Sequence, residues 1–521
     1  MKRMLLAGVI LLAFTAIADA QHDPHRNATR FVAAGQFDKA EKELKKADVD
    51  DPETQFVLML NALGQDDVDA AGVHAKQALD AGLPFGRLVA GPRKELSSLY
   101  ATKEFAEWAG KYKPSRLIHG PMVGSVTHNS ARFWVRTADL SVVQVYLYDK
   151  EGNRVGASND DLASAQNDFT TFTRAFGLKP STTYHYEVLI DGESVTKKRH
   201  QFTTHPETGQ PGTFRVAFGG GAGFVPKWEY MWDTILKEKP NALLMLGDNV
   251  YIDDPTKLLT QHYCYYRRQS RPEWRRLISS TSVYSIWDDH DFGTNDCIPG
   301  AGIESPPWKR TVWEKFKQNW INPGYGESSE QPGCWYDFKI ADVHFIMLDG
   351  RYYRSREGTP TMLGPVQKEW FLKTLKSSDA RFKVLVSPVP WTVGIKPGSR
   401  DPWDGFPEER EEIFSFIEDN GIEGVFLVAA DRHRSDLRVT ERPNGYNLYE
   451  FESSRLTNRH THGVVDTPGL IWGYNKTCSF GLMSFDTTKP DPAVQFEVVT
   501  IDGEHILSHE LKLSQLKSSK E

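Results

Sequence analysis

The chain has 521 residues, too many for one ordinary domain, so two or three are expected. Its composition is that of a folded soluble protein, and a net charge of −7 gives no reason to expect nucleic acid or an anionic membrane surface as a partner. The 14 Trp and 19 Tyr supply amphipathic aromatic surface for cores and clefts.

The first twenty residues read as a secretory signal. Lys2 and Arg3 form the positive end, Met4 to Ile17 the apolar stretch, and Ala18-Asp19-Ala20 the small-x-small cleavage site. The apolar run is short for a membrane span and no second one follows, so an exported chain (periplasmic or extracellular) without an anchor is expected, starting near Gln21. The four cysteines, Cys264, Cys297, Cys334 and Cys478, contain no C-x-x-C pair, which argues against a thiolate zinc site. An oxidising compartment admits one or two disulfides, and Cys297 with Cys334 is the favoured pair because it would clip the Gly/Pro/Ser-bearing loop between them.

From Asn27 to about Tyr112 the apolar spacing is helical. The phrase around Gly35-Gln36-Phe37-Asp38 returns at Gly64-Gln65-Asp66-Asp67, so residues 21–115 resemble tetratricopeptide-type helix pairs. Two copies are fewer than an independent array needs, so the segment is expected to dock on the rest. It acts either as a helical spacer or as a surface for a protein partner. From Ile118 the period becomes two. Ser130–Arg136 and Val142–Tyr148 read as strands, and Leu178 to Val188 resembles the tyrosine-corner segment of fibronectin-type sandwiches. A small β-sandwich is therefore expected over residues 116–206, followed by a polar linker.

Beyond Phe214 strands and helices alternate, predicting an α/β domain over residues 212–515. Ala242–Leu246 is an apolar strand that ends in Gly247-Asp248-Asn249-Val250-Tyr251. Ser282–Ile286 runs into Trp287-Asp288-Asp289-His290-Asp291, His344–Leu348 into Asp349-Gly350-Arg351, and Gly424–Ala429 into Ala430-Asp431-Arg432-His433. Ligands of such sheets sit beyond the carboxyl ends of the strands, where each polar cluster falls. Hard oxygen donors with imidazole suit iron, manganese, zinc, calcium or magnesium. A carboxylate shared by two cations would build the clamp used in two-metal phosphoryl hydrolysis.

These phrases, with Asn295-Asp296, Tyr352-Tyr353-Arg354, and Leu363-Gly364 followed by Gln367 and Trp370, resemble the alkaline phosphatase D (PhoD-like) metallophosphoesterases of the calcineurin-like superfamily. The resemblance implies an exported phosphatase or phosphodiesterase that cleaves phosphate esters with a metal-activated hydroxide. It implies two or more metal ions, iron and calcium by family, held by Asp248, Tyr251, Asp289, Asp431 and His433, with Asn295 as a fallback ligand. His290 takes the place of the general acid or phosphate-contacting group, or else of a third ligand. Arg351 presents a fork to phosphate or forms a structural ion pair. One departure stands out: Gly221 in Phe218-Gly219-Gly220-Gly221 occupies the place of a family cysteine whose thiolate binds iron. Water, Asp253 or Asp254 then fills the gap, or manganese, zinc or magnesium is preferred, or the glycines form an amide nest for phosphate. The alternative is a degenerate, non-catalytic member that binds a phosphate ligand or a protein. Trp391 and Trp403 either wall a cleft or pack in the core.

Overall fold

A computed structural model describes residues 23–113 and 115–518. The secretory signal read from residues 1–20 therefore lies outside the described residues. Helices come first: α1 (Pro24–Ala33), α2 (Phe37–Leu44), α3 (Pro52–Gly64), α4 (Val68–Asp80), the single turns α5 (Gly86–Val89) and α6 (Ser97–Tyr100), and α7 (Lys103–Tyr112). Asp23, Asp51, Asp67 and Thr102 cap α1, α3, α4 and α7 by accepting backbone N–H bonds in the first turn, which is why the helices start there.

The next strands are β1 (Leu117–Gly124), β2 (Ser130–Thr137), β3 (Ser141–Tyr148), β4 (Arg154–Ala157), β5 (Asp161–Ala163), β6 (Thr170–Phe176), β7 (Thr183–Ile190), β8 (Glu193–Ser194) and β9 (His200–Thr203). One sheet, β4-β3-β7-β8 with β5 and β9 on β3 and β7, packs through Val143, Val145, Tyr186, Val188 and Phe202 on Val123, Phe133, Val135 and Ala175 of β1, β2 and β6. The Tyr184 hydroxyl accepts the N–H of Lys179 at 3.0 Å, tying down the corner that leads into β7.

The remaining elements are β10 (Thr213–Gly219), α8 (Met231–Lys237), β11 (Ala242–Leu246), α9 (Leu258–Gln269), α10 (Pro272–Ile278), β12 (Ser282–Ile286), α11 (Asp289–Phe292), α12 (Trp308–Asn319), β13 (Tyr336–Ile340), β14 (Val343–Met347), α13 (Pro365–Ser377), β15 (Phe382–Val386), α14 (Pro407–Asp419), β16 (Val425–Ala429), β17 (Ser435–Thr440), β18 (Leu448–Ser453), β19 (Leu470–Tyr474), β20 (Ser479–Asp486), β21 (Ala493–Thr500) and β22 (His505–Lys512). They build two sheets. One runs β22-β21-β20-β10-β11-β12-β1-β2-β6 and the other β13-β14-β15-β16-β18-β17-β19. β1 pairs parallel to β12 at Gly124 and Val283, so one layer of the small β unit is a direct extension of the larger sheet. No gap separates the two.

The facing sides of the two sheets meet in phenylalanine. Phe485 lies against Phe345, Phe382 and Phe426, with ring centroids 5.9, 6.0 and 6.4 Å away, and Phe496 stacks on Phe451 at 4.3 Å. α13 and α14 cover the outer face of the second sheet through Phe371, Leu375, Ile413 and Phe414. β10, β11 and β12 run parallel in one sheet, and β14, β15, β16 and β18 in the other. A parallel bridge between Gly220 and Ser454, just past β10 and β18, joins the two sheets where their carboxyl ends meet.

One expectation needs correcting here, and one open choice is decided. All four cysteines are free, so Cys297 and Cys334 form no bridge. Cys334 is buried, and its backbone N–H is given to Asp349, which anchors that loop without a disulfide. Trp391 and Trp403 are both fully buried and stack at 4.3 Å, which makes them core rather than cleft wall.

The N-terminal helices dock on α9 through buried charge. Arg267 pairs with Asp23, and Glu53 accepts from Arg87 and from the Tyr263 hydroxyl (2.9 Å). Burial alone would raise both carboxyls, but Arg267 for Asp23 and Arg87 for Glu53 outweigh it and hold them below their ordinary values of 3.8 and 4.5. A carboxyl lowered by folding adds stability that is complete above its unfolded pKa and is lost as pH falls below it. The helical segment should therefore release first on acidification. Limited proteolysis between pH 7 and pH ~3 should show cuts in residues 33–115 once pH drops below ~4, while the two sheets still resist. Loss of protection in all parts at one common pH would contradict this.

Candidate metal centre

The carboxyl ends of β10, β11, β12, β16 and β18 converge at the seam of the two sheets. The backbone there is forced into the left-handed region at a run of non-glycine residues: Asp248 (φ 53°), Tyr251 (52°), Asp253 (53°), Asp431 (69°), His433 (49°) and Arg455 (74°). Such conformations persist only where the surroundings over-determine them, and they concentrate at functional sites.

Asp248, Asp289 and His290 each offer a ligand atom within 4.8 Å of the others, and all three are buried. The crowding of carboxylates is larger than this trio, and each is compensated differently. Asp291 accepts the backbone N–H groups of Asn249 and Val250 at 2.9 and 3.0 Å, which clamps the loop carrying Asp248. Asp288 accepts Nε of Arg351 at 2.5 Å. Asp289 accepts the N–H of His290 at 3.0 Å and that of Asp296 at 2.5 Å. Oδ1 of Asp248 is buried with no hydrogen-bond partner, as is Oδ2 of Asp288. Burial, with Asp289 and Asp288 close by, pushes the Asp248 carboxyl well above the usual carboxylate range. An orphaned carboxylate oxygen beside a second carboxylate and an imidazole is a donor set that fits a hard or borderline cation.

Tyr251 stands over this trio. Its hydroxyl lies 2.8 Å from Nε2 of His433 and accepts Nδ2 of Asn458 at 2.5 Å. Nε2 of His433 is in turn 3.7 Å from Oδ2 of Asp248. Asp431 sits at the rim, its carboxylate 3.4 Å from Arg432 and 3.8 Å from Nζ of Lys396. Nδ1 of His290 is held by Asp253, which is also paired with Arg26 from α1. Burial would lower the His290 pKa, but Asp253, Asp289 and Asp248 outweigh it and keep the ring protonated well above its ordinary value.

The structure thus brings together Asp248, Tyr251, Asp289, His290 and His433, with Asp431 at the edge. Of the two others, Asn295 stays outside, and Arg351 meets the group from behind, 3.8 Å from the Asp289 carboxylate. Asn295 is exposed on the turn after α11, outside the buried group. Arg351 is fully buried and gives its guanidinium to Asp288 and, bidentately at 2.7 and 3.2 Å, to Asp401. A guanidinium whose donors are taken up by two buried carboxylates has no fork left for a phosphate, so the ion-pair use is the one realised. Lys396, bonded to Asp296 at 2.9 Å and close to Asp401 and Asp431, is the cation at the rim instead.

The surroundings of Gly221 differ from expectation as well. Asp253 is engaged by His290 and Arg26, and Asp254 lies 3.7 Å from Arg30, so neither carboxylate fills the gap. The glycine N–H groups form no anion nest either. Gly220, Gly221 and Ala222 donate to the carbonyls of Ser453, Gly247 and Asp248. What stands next to Gly221 is His433. A Cβ on Gly221 would lie 3.1 Å from the His433 ring and 3.0 Å from the Arg455 backbone nitrogen, on a residue whose φ is +67°.

Sequence reading missed Asn458, His460 and His462. They follow β18, a strand hidden because its inward residues include Glu450 and Glu452, both buried. The available signal was the H-x-H spacing of His460 and His462.

Comparison with known proteins places these features in context. A sequence profile described as PhoD-like phosphatase matches residues 216–468, and one described as a domain of unknown function (DUF7800) matches residues 114–208. Alkaline phosphatase D of Bacillus subtilis (strain 168) is 22% identical over 333 residues, and purple acid phosphatase 15 of Arabidopsis thaliana 24% over 253 residues. The aligned parts are 55% and 45% of this chain, and 57% and 42% of those relatives, so the chain spans about half the length of the curated relatives it matches. Among solved structures, one described as PhoD superposes with TM-score 0.61 at 17% identity, covering 74% of this chain and 91% of that one. Purple acid phosphatase PPD1 from yellow lupin (Lupinus luteus) gives 0.59 at 13% identity, covering 76% and 75%. Both share the α/β fold. Over residues 216–468, just under half of its length, the chain matches the PhoD-like phosphatase family.

Proposed function

We propose that the chain is an exported, metal-dependent hydrolase of phosphomonoesters or phosphodiesters, with Asp248, Tyr251, Asp289, Asp431 and His433 as its metal-holding residues and His290 as its proton-handling one. The observation that carries this reading is the buried trio Asp248, Asp289 and His290, each with a ligand atom within 4.8 Å of the others, with Oδ1 of Asp248 unpartnered, inside the segment that matches the PhoD-like family. Bound metal ions would supply the positive charge that offsets phosphate oxygens and would lower the pKa of water. The side chains do the rest. Asp248 and Asp289 give anionic oxygens at the ends of adjacent strands, and Asp291 fixes the loop between them. His290 is aimed by Asp253, which suits it to place a proton on the leaving oxygen. Lys396 and Arg432 raise the local potential at the rim, where a phosphate arrives. No helix among the described residues is long and apolar enough to cross a membrane. Export rests on the N-terminal sequence.

Turnover of an aryl phosphate, measured with metals supplied and again after chelation, tests the activity. Chelation should abolish it, and re-addition of metal should restore it. Absence of chelator-sensitive turnover would return the chain to the alternative, a phosphate-ligand or protein-binding member of the fold.

Two substitutions separate the roles. Asp248→Asn keeps the shape but removes the charge, and should cut both bound metal and kcat, the latter by at least ~100-fold. Arg26→Ala, remote in sequence, leaves Asp253 without its second partner and should lower kcat by roughly 10-fold with little change in KM. Arg26→Lys should recover most of that loss. If Arg26→Ala lowers thermal stability and leaves kcat alone, the contact is purely structural.

A further inference from the structure

The second cluster at this seam has no carboxylate in it. His433, His460 and His462 each offer a ring nitrogen within 4.8 Å of the others. Nε2 of His460 and Nε2 of His462 lie 3.0 Å apart, and the two rings meet edge to face with centroids at 4.3 Å. Their centroids are 5.3 and 5.7 Å from that of His433. An imidazole–imidazole hydrogen bond would account for the first pair. It would leave Nδ1 of His433 as it stands, fully buried and without a partner. A buried, orphaned ring nitrogen beside two more imidazoles is costly unless something binds it.

The loop that carries the two histidines is held in place on every side. Nδ2 of Asn458 donates to the Tyr251 hydroxyl, and its Oδ1 accepts the His460 N–H at 2.8 Å. The Thr461 hydroxyl donates to the His433 carbonyl at 3.0 Å, and Nδ2 of Asn475 donates to the His462 carbonyl at 3.0 Å. The Thr457 hydroxyl donates to the Gly223 carbonyl at 2.7 Å. Fixed backbone around a set of ligands is what a metal site requires of its outer partners. Gly221 takes part by being small: any side chain there would press on the His433 ring.

We infer that His433, His460 and His462 form an imidazole-rich metal position beside the carboxylate-rich one of Asp248 and Asp289, taking a nitrogen-preferring cation such as zinc, cobalt or nickel. Imidazole donors suit that class, whereas carboxylate donors suit harder ions. His433 links the two positions, since its Nε2 faces Asp248 and Tyr251. The inference deepens the proposed function because it assigns two unlike cations to one site. The orphaned nitrogen and the built loop would stand without that function.

Cobalt(II) and zinc(II) titrations of the metal-stripped full chain test it. The wild type should bind cobalt with the visible absorption of a nitrogen-rich site, and zinc should shift the ring 15N resonances of all three histidines. His460→Gln and His462→Gln, both on half-buried side chains, should each weaken zinc binding by more than the roughly 10–100-fold that loss of an outer partner costs. Metal content should fall by one ion per chain. Unchanged zinc affinity and cobalt absorption in both variants would overturn the assignment, as would histidine resonances in the wild type that do not respond to zinc. Phosphate-ester hydrolysis reads separately. Turnover with the histidines unresponsive defeats this inference alone, and responsive histidines without turnover defeat the phosphoesterase reading alone.

Discussion

Four buried carboxylates within a few ångströms set the terms for this molecule. Asp248, Asp288, Asp289 and Asp291 sit past the ends of two neighbouring strands, where water cannot screen them. The fold resolves the repulsion by giving each a different partner. Backbone N–H groups take Asp291, the Arg351 guanidinium takes Asp288, and the turn of α11 takes Asp289. Asp248 is left with an oxygen that nothing in the protein reaches, as Asp288 is with its Oδ2. The bonds to the other three form a scaffold around Asp248, the acid with the fewest partners of its own. Arg351 belongs to that scaffold, which is why it is buried together with the bidentate acceptor Asp401.

The position of the site follows from the two sheets. Each contributes parallel strands ending at the same edge, and the Phe485 and Phe496 contacts fix how the sheets face each other. The Gly220–Ser454 bridge closes the seam and sets the β10 loop against the β18 loop. That contact explains why a residue larger than glycine at position 221 would meet the His433 ring. Glycine is required by the neighbour, and the His460/His462 loop occupies the same corner.

What could be read in the sequence divides along physical lines. Strands β11, β12, β14, β15 and β16 are buried on every residue, so their apolar runs announced them, and the acids after β11, β12 and β16 were placed by that alone. β18 escaped because Glu450 stands in its core position. That glutamate is tolerated only because it accepts the backbone N–H groups of Trp391 and Thr392, partners 58 and 59 residues away that no local pattern reveals. Asn458, His460 and His462 were hidden with it. For Arg351 the sequence left two uses open, because its context shows a cation after a strand but not the distant Asp401 that pairs with it. The polar stretch after residue 206 suggested a break, but sheet continuity through β1 and β12 depends on a pairing between segments about 160 residues apart, and no linker composition encodes that.

The N-terminal helices take on a different meaning once the charges are traced. Arg26 of α1 reaches Asp253, and Asp253 holds His290. Asp253 itself sits in the left-handed region on the loop that follows Tyr251, and its N–H, with that of Ile252, is given to the His290 carbonyl. Loop and histidine are thus locked to each other, and the helix locks both from outside. A spacer would need none of this. Burying Arg26 and Asp253 together costs solvation that only a well-formed pair offsets, so the contact is specific to a docked helix. The helical segment therefore packs as part of the wall of the candidate metal centre, with Arg26, Arg30 and Arg267 balancing acids on the opposite element. Any change that lifts α1 away removes the group that orients His290, and the site would lose its order without the loss of one ligand.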